Sequence, residues 1–135
     1  MSDAIGKMFL DPLGRLLIVS SRDKHDVYIL VSSANSLKYN KKPIRFSNPN
    51  FVLAYVSWCN RFIQTDTVAL LAGQDGSIFE VSIRSDGECS TPVEVYPSFK
   101  MIMDKSKDSV TGIYCDVKSS YEENSSVFVV LTTQK

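Results

Sequence analysis

TVALLAGQDGSIFEVSI, residues 67–83, decides how the rest of the chain is read. Two apolar runs, residues 68–72 and 78–83, flank Gly73-Gln74-Asp75-Gly76-Ser77. Asp-Gly between such runs is a strong hairpin signal, because a tight turn that follows the strand twist needs φ > 0 and glycine supplies it at no steric cost. After the turn, Phe79, Val81 and Ile83 alternate with Glu80 and Ser82, the period of two expected of a strand with one apolar face. Before it, Val68-Ala69-Leu70-Leu71-Ala72 does not alternate. A run so short beside a hairpin turn predicts a strand covered on both faces, which a lone hairpin cannot provide. Further layers of sheet must lie on either side.

Composition bounds what those layers belong to. The 135 residues fit one domain, and 44% apolar residues supply a core. Fifteen Lys+Arg balance fifteen Asp+Glu, so the chain as a whole lacks the positive field on which non-specific nucleic-acid binding depends. Cys59, Cys89 and Cys115 are odd in number and widely spaced, with no C-x-x-C. They are expected to be reduced thiols of a cytosolic protein, with neither a disulfide framework nor a zinc site. The N-terminal residues lack the charged head and apolar body of a signal peptide, and no run approaches the ~20 apolar residues of a membrane span. A soluble chain is expected.

Outward from the hairpin, the same grammar recurs. Residues 5–10 read as a strand stopped by Asp11-Pro12-Leu13-Gly14, with Asp, Pro and Gly at the first, second and fourth positions of a type I turn. Residues 15–19 follow as a second doubly covered strand and residues 27–31 as a third. Residues 32–42 are expected to be loop, and residues 43–46 a weak fourth strand that Pro43 demotes to an edge. Residues 51–58 open a second unit, which contains the hairpin, a turn at Ser85-Asp86-Gly87 and an outer strand at 93–96. Residues 101–109 read as charged loop with at most one helical turn. Strands at 110–117 and 127–131 begin a third unit.

The units repeat: Phe9 answers Trp58, Ile18 answers Leu70 and Tyr28 answers Phe79, at separations of 49, 52 and 51. Val56 then answers Tyr114, and Leu70 answers Val129, at 58 and 59. Four-stranded units at this period are the pattern of β-propeller blades, whose inner strands are buried by the blades beside them. The fold class expected is all-β, a partial β-propeller of two four-stranded blades and part of a third, with units at about 5–46, 51–97 and 110–133. A small β-sandwich or open barrel of about nine strands is the alternative.

The same residues carry a resemblance. Phe9-Leu10-Asp11-Pro12 with Gly14, Tyr28, Lys42-Pro43, Val56 with Trp58, and Gly73, Gly76 and Glu80 fall in the order found in the N-terminal β-propeller region of the vacuolar protein sorting-associated protein 18 family. VTGIYCDV and VFVVLTT continue the likeness, which spans residues 5–133. The resemblance implies a non-enzymatic subunit of the HOPS and CORVET tethering complexes. It would be peripheral on the cytosolic face of late endosomes and lysosomes or vacuoles, acting in vesicle docking, fusion and protein transport. Implied partners are other tether subunits, SNARE proteins and, indirectly, Rab-type GTPases. Members of that family are longer, with more blades, a helical solenoid and a RING zinc module. Within these residues His25 is the sole histidine and no zinc cluster can be assembled, so ubiquitin-ligase activity is not implied.

No catalytic constellation emerges, and no cofactor is expected. His25 lies in a polar turn without a nucleophile nearby, and reads as solvated. Glu122-Glu123 falls in a Ser/Asn-rich loop, and the glycines form neither G-x-G-x-x-G nor a P-loop. Asn124-Ser125-Ser126 matches a glycosylation sequon that needs a secretory route. One stretch stands out. Residues 38–46 pack four cations and two aromatics into nine positions. Lys38, Tyr39, Lys41, Lys42 and Arg45 are the candidate contact for an acidic partner or anionic lipid, against the plainer reading of a solvated connection. Two rival functions frame that reading. One is a small β domain stacking single-stranded nucleic acid on Tyr39 and Phe46. The other is a propeller hydrolase, which would need an S-x-D-x-G-x-x-W box or clustered carboxylates that the chain lacks.

Overall fold

The structure, a computed structural model of the chain, describes residues 4–33, 36–39, 42–59, 66–95, 109–119 and 125–134. Strands β1 (Ile5–Leu10), β2 (Leu16–Ser21), β3 (Val27–Ser33) and β4 (Ser36–Tyr39) form one antiparallel sheet in chain order. Strands β5 (Leu53–Cys59), β6 (Thr67–Gly73), β7 (Ile78–Ile83) and β8 (Val93–Val95) form a second of the same topology. Strands β9 (Ser109–Ser119) and β10 (Ser125–Gln134) pair antiparallel as a third. Among the described residues there is no helix.

The sheets stack in series, and β6 is the hinge of the packing. Its Ala69 and Leu71 join Leu16, Ile18, Val27 and Ile29 of the first sheet in one buried cluster, with Phe79, Val81 and Ile83 of β7. Val68, Leu70 and Ala72 point the other way and join Ile78, Val110 and Ile113 in a second cluster toward β9 and β10. Ala69, Leu71 and Ala72 are wholly inaccessible, so the unalternating run is a strand with two buried faces, as its sequence requires. A polar tie crosses the first seam. The Lys7 Nζ donates to the Ala54 carbonyl at 3.0 Å and sits 5.1 Å from the Tyr55 ring centroid.

Each turn is closed by the chemistry its residues bring. The Asp11 carboxylate, 3% exposed, accepts from the N–H groups of Arg15 at 2.5 Å and Leu16 at 2.7 Å. The Gly14 N–H donates to the Asp11 carbonyl at 2.9 Å, the bond of the expected β-turn. In the β6–β7 hairpin the Gly76 N–H donates to the Gly73 carbonyl, and the Gly73 N–H to that of Ser77. Only Gly76, at φ 85°, is left-handed. The hairpin therefore has a three-residue loop ending in a left-handed glycine, the next commonest form after the two-residue turn. Arg84 to Glu88 repeats it, with Gly87 at φ 91°.

Several expectations are corrected here. The fourth strand of the first sheet is β4, paired Leu30↔Tyr39 and Val31↔Lys38, and residues 43–46 are not a strand. Pro43 has no N–H to donate, and the Ile44 N–H makes a single bond to the Val27 carbonyl at 2.8 Å. The segment then turns inward, and Phe46 stacks on Phe51 with centroids 4.2 Å apart and meets Phe79 edge-on at 5.1 Å. The cysteines are not all reduced thiols. Cys59 of β5 and Cys115 of β9 form a disulfide with Cα atoms 6.0 Å apart, leaving Cys89 free. Residues 56 apart in sequence are neighbours here because the second and third sheets face one another.

The repeat holds in part. Ile18 and Leu70 both face the following sheet; Phe79 faces the preceding sheet, and Tyr28 lies on the equivalent face of the first sheet, away from the second. Phe9 pairs with Ile18 and faces forward, whereas Trp58 pairs with Ala69 and faces back. Val56 against Tyr114, and Leu70 against Val129, are likewise on opposite faces. A slip of one residue turns every side chain over, and register shifts occur in β1 and β5. The charged segment 101–108, Glu122-Glu123 and Asn124 lie outside the described residues.

Candidate interaction surface

The surface begins with the β2–β3 turn. The Ser21 N–H donates to the Asp26 carbonyl at 2.8 Å, and the Asp26 N–H to Ser21 Oγ at 3.0 Å. Four residues are spanned, and the chain closes the loop by placing His25 at φ 58°. It is the one non-glycine residue at positive φ among those described, a conformation in which His is tolerated better than bulkier or β-branched residues. Opposite stands the segment from Ile44 to Val52, anchored by Phe46 in the core and by a turn at its far end. There the Asn50 N–H donates to Asn48 Oδ1 at 3.0 Å, and the Phe51 N–H to the Asn48 carbonyl at 3.2 Å.

Between turn and segment lies a cleft of about 500 Å³. Lys24, His25 and Arg45, all exposed, stand round it with Asp26, and its floor includes Ile44, Phe46 and Phe51. Of the basic stretch, Lys42 and Arg45 are exposed, and Arg45 lines the cleft. The backbones of Lys38 and Tyr39 lie in β4 along the sheet edge, and Lys41 lies outside the described residues. Phe46 is half-buried, its ring packed on Phe51 and against Phe79, and it also lines the cleft. Lys24 and His25 lie about twenty positions before Arg45 and carry no local motif, and sequence reading did not join them to it.

A second cleft holds the free thiol, with Asp66, Ser82, Arg84, Glu88 and Ser90 beside Cys89. Burial raises the thiol's pKa and the neighbouring Glu88 carboxylate adds to the effect, the reverse of what an activated nucleophile needs. Among the described residues no group of His, Cys, Asp and Glu could hold a metal. Apolar side chains are exposed at both ends of the stack. Met8 and Leu10 are 60% and 61% exposed on the first sheet, Tyr114 and Val130 64% and 55% on the third.

Four-stranded antiparallel sheets in chain order, each stacked face to face on the next, define a β-propeller architecture, present here in part. A family model described as the Pep3/Vps18/deep orange beta-propeller domain matches residues 1–135. The chain belongs to that family, and the resemblance read from its motifs is correct. The family is one of membrane-tethering subunits, scaffolds associated with vacuoles and endosomes. Comparison with individual curated proteins and with solved structures finds no match. No helix among the described residues is long and apolar enough to cross a membrane.

Proposed function

We propose that this chain is a non-enzymatic interaction domain of a HOPS- or CORVET-type tethering subunit. It acts in the docking and fusion of endosomal with lysosomal or vacuolar membranes, from their cytosolic face. The observation that carries this reading is the family match along the whole chain. Stacked sheets suit it, because a rigid β framework presents loops and strand edges to partners. The partners are other tether subunits, with SNARE proteins and Rab-type GTPases reached through the assembled complex. Lys38, Tyr39, Lys41, Lys42 and Arg45 form the basic contact for an acidic partner or lipid headgroup.

Retention of recombinant tether subunits on the immobilised 135-residue chain tests the proposal. At least one subunit is expected to be retained, and Lys42→Glu with Arg45→Glu to weaken it. A chain that melts cooperatively yet retains none of the subunits overturns the scaffold reading.

A further inference from the structure

We infer that the cleft between the β2–β3 turn and residues 44–52 is a docking site for an extended acidic peptide carrying an apolar side chain between its carboxylates. The inference rests on the scaffold reading and names the partner chemistry of its basic surface. Four features converge on it. At about 500 Å³ the cleft is in the range of ~300–1,000 Å³ typical of ligand sites. Its charged lining residues are Lys24, Arg45 and Asp26, two cations and one carboxylate. Its floor is apolar and firm, because Phe46 and Phe51 stack on one another and on Phe79, which is wholly buried.

The fourth feature is the backbone. His25 is held in the left-handed region by bonds on both sides of the turn, and such conformations cluster at ligand clamps. The imidazole is set at the rim of the cleft. Both walls are thus ordered before any ligand arrives, which lowers the entropic cost of binding. In an extended chain the carboxylates flanking an apolar residue both point away from it, from the floor toward the rim where Lys24 and Arg45 stand. The apolar residue between them meets Phe46 and Phe51. A net charge of zero over the whole chain makes this a local complementarity, distinct from the broad positive field that binds nucleic acid.

The test is fluorescence anisotropy of the purified chain with a fluorescein-labelled Glu-Asp-Phe-Glu-Asp-Leu peptide. The Gln/Asn version of that peptide, phosphatidylserine vesicles and a dT oligonucleotide are run beside it at 150 mM salt, the value of physiological ionic strength. The acidic peptide is expected to bind, the neutral one about tenfold more weakly. Lys24→Glu with Arg45→Glu, both at exposed positions, should cost about tenfold or more with an unchanged melting curve. If the double variant is unfolded, Lys24→Gln with Arg45→Gln replaces it. Equal binding of the neutral peptide, equal binding by the folded variant, no binding at all, or tighter binding of vesicles or oligonucleotide than of peptide overturns the proposal. Subunit retention separates the two readings. Retention undiminished in Lys24→Glu with Arg45→Glu sinks the cleft and leaves the scaffold reading standing. Peptide binding without retention of any subunit sinks the scaffold reading alone.

Discussion

Replacing Leu70 or Leu71 by aspartate probes both faces of the central strand with two adjacent residues. Leu70 is 2% exposed and faces β9, whereas Leu71 is 0% exposed and faces the first sheet. Truncation to alanine at such sites costs about 2–5 kcal/mol, from lost burial and the cavity left behind. Aspartate adds several kcal/mol more for a carboxylate taken out of water with no partner. At position 70 it also falls opposite Glu80 on β7, a like charge that makes matters worse. The total rivals the ~5–15 kcal/mol stability of a whole domain. Both variants should therefore lack a cooperative transition by circular dichroism, while Leu70→Ala and Leu71→Ala melt at lowered temperature. A strand covered on one face only would tolerate one of the two aspartates. A cooperatively melting Leu70→Asp or Leu71→Asp variant within a few degrees of the parent would refute the stacked arrangement.

Gly87→Ala should destabilise more than Gly14→Ala. Both sit at positive φ, but a Cβ at 87 would lie 2.5 Å from Val31 Cγ2 on the first sheet, whereas at 14 nothing is within 4 Å. The backbone cost is about 1–2 kcal/mol at each, and adding Val31→Ala should recover the excess at 87, as read by urea denaturation. Reducing Cys59–Cys115, or replacing both by serine, should lower stability by roughly 4 kcal/mol on the loop-entropy estimate for a closure of this length, and melts with and without dithiothreitol check it. The apolar ends of the stack should make the chain self-associate with rising concentration, and Met8→Lys with Val130→Lys should shift sedimentation toward monomer. Sedimentation unchanged by that pair would show that these ends do not mediate association.

Much of the strand plan was written in local pattern. Residues 68–72 show their two buried faces as an absence of alternation, and the glycines at 14, 76 and 87 mark turns because glycine takes positive φ without steric cost. Asp11 follows the same rule, since its carboxylate serves N–H groups four and five residues away. Where the chain chose between distant partners, local pattern was silent. Residues 36–39 read as loop and 43–46 as the edge strand, and the structure reverses the two. Burial of Phe46 against Phe51 and Phe79, rings on a later part of the chain, settled which of them turned inward. The repeat spacings misassigned faces in three of five pairs, because a spacing wrong by one residue inverts a strand's sidedness. Strands β1 and β5 carry matching register shifts at Ile5/Lys7 and Leu53/Tyr55, which Phe9 and Trp58 follow by unequal steps. Cys59 with Cys115, and Lys24 and His25 with Arg45, are brought together only when whole sheets stack and a connecting segment folds back. Side chains so far apart in sequence leave no periodicity to read, because their meeting depends on the packing of everything between them.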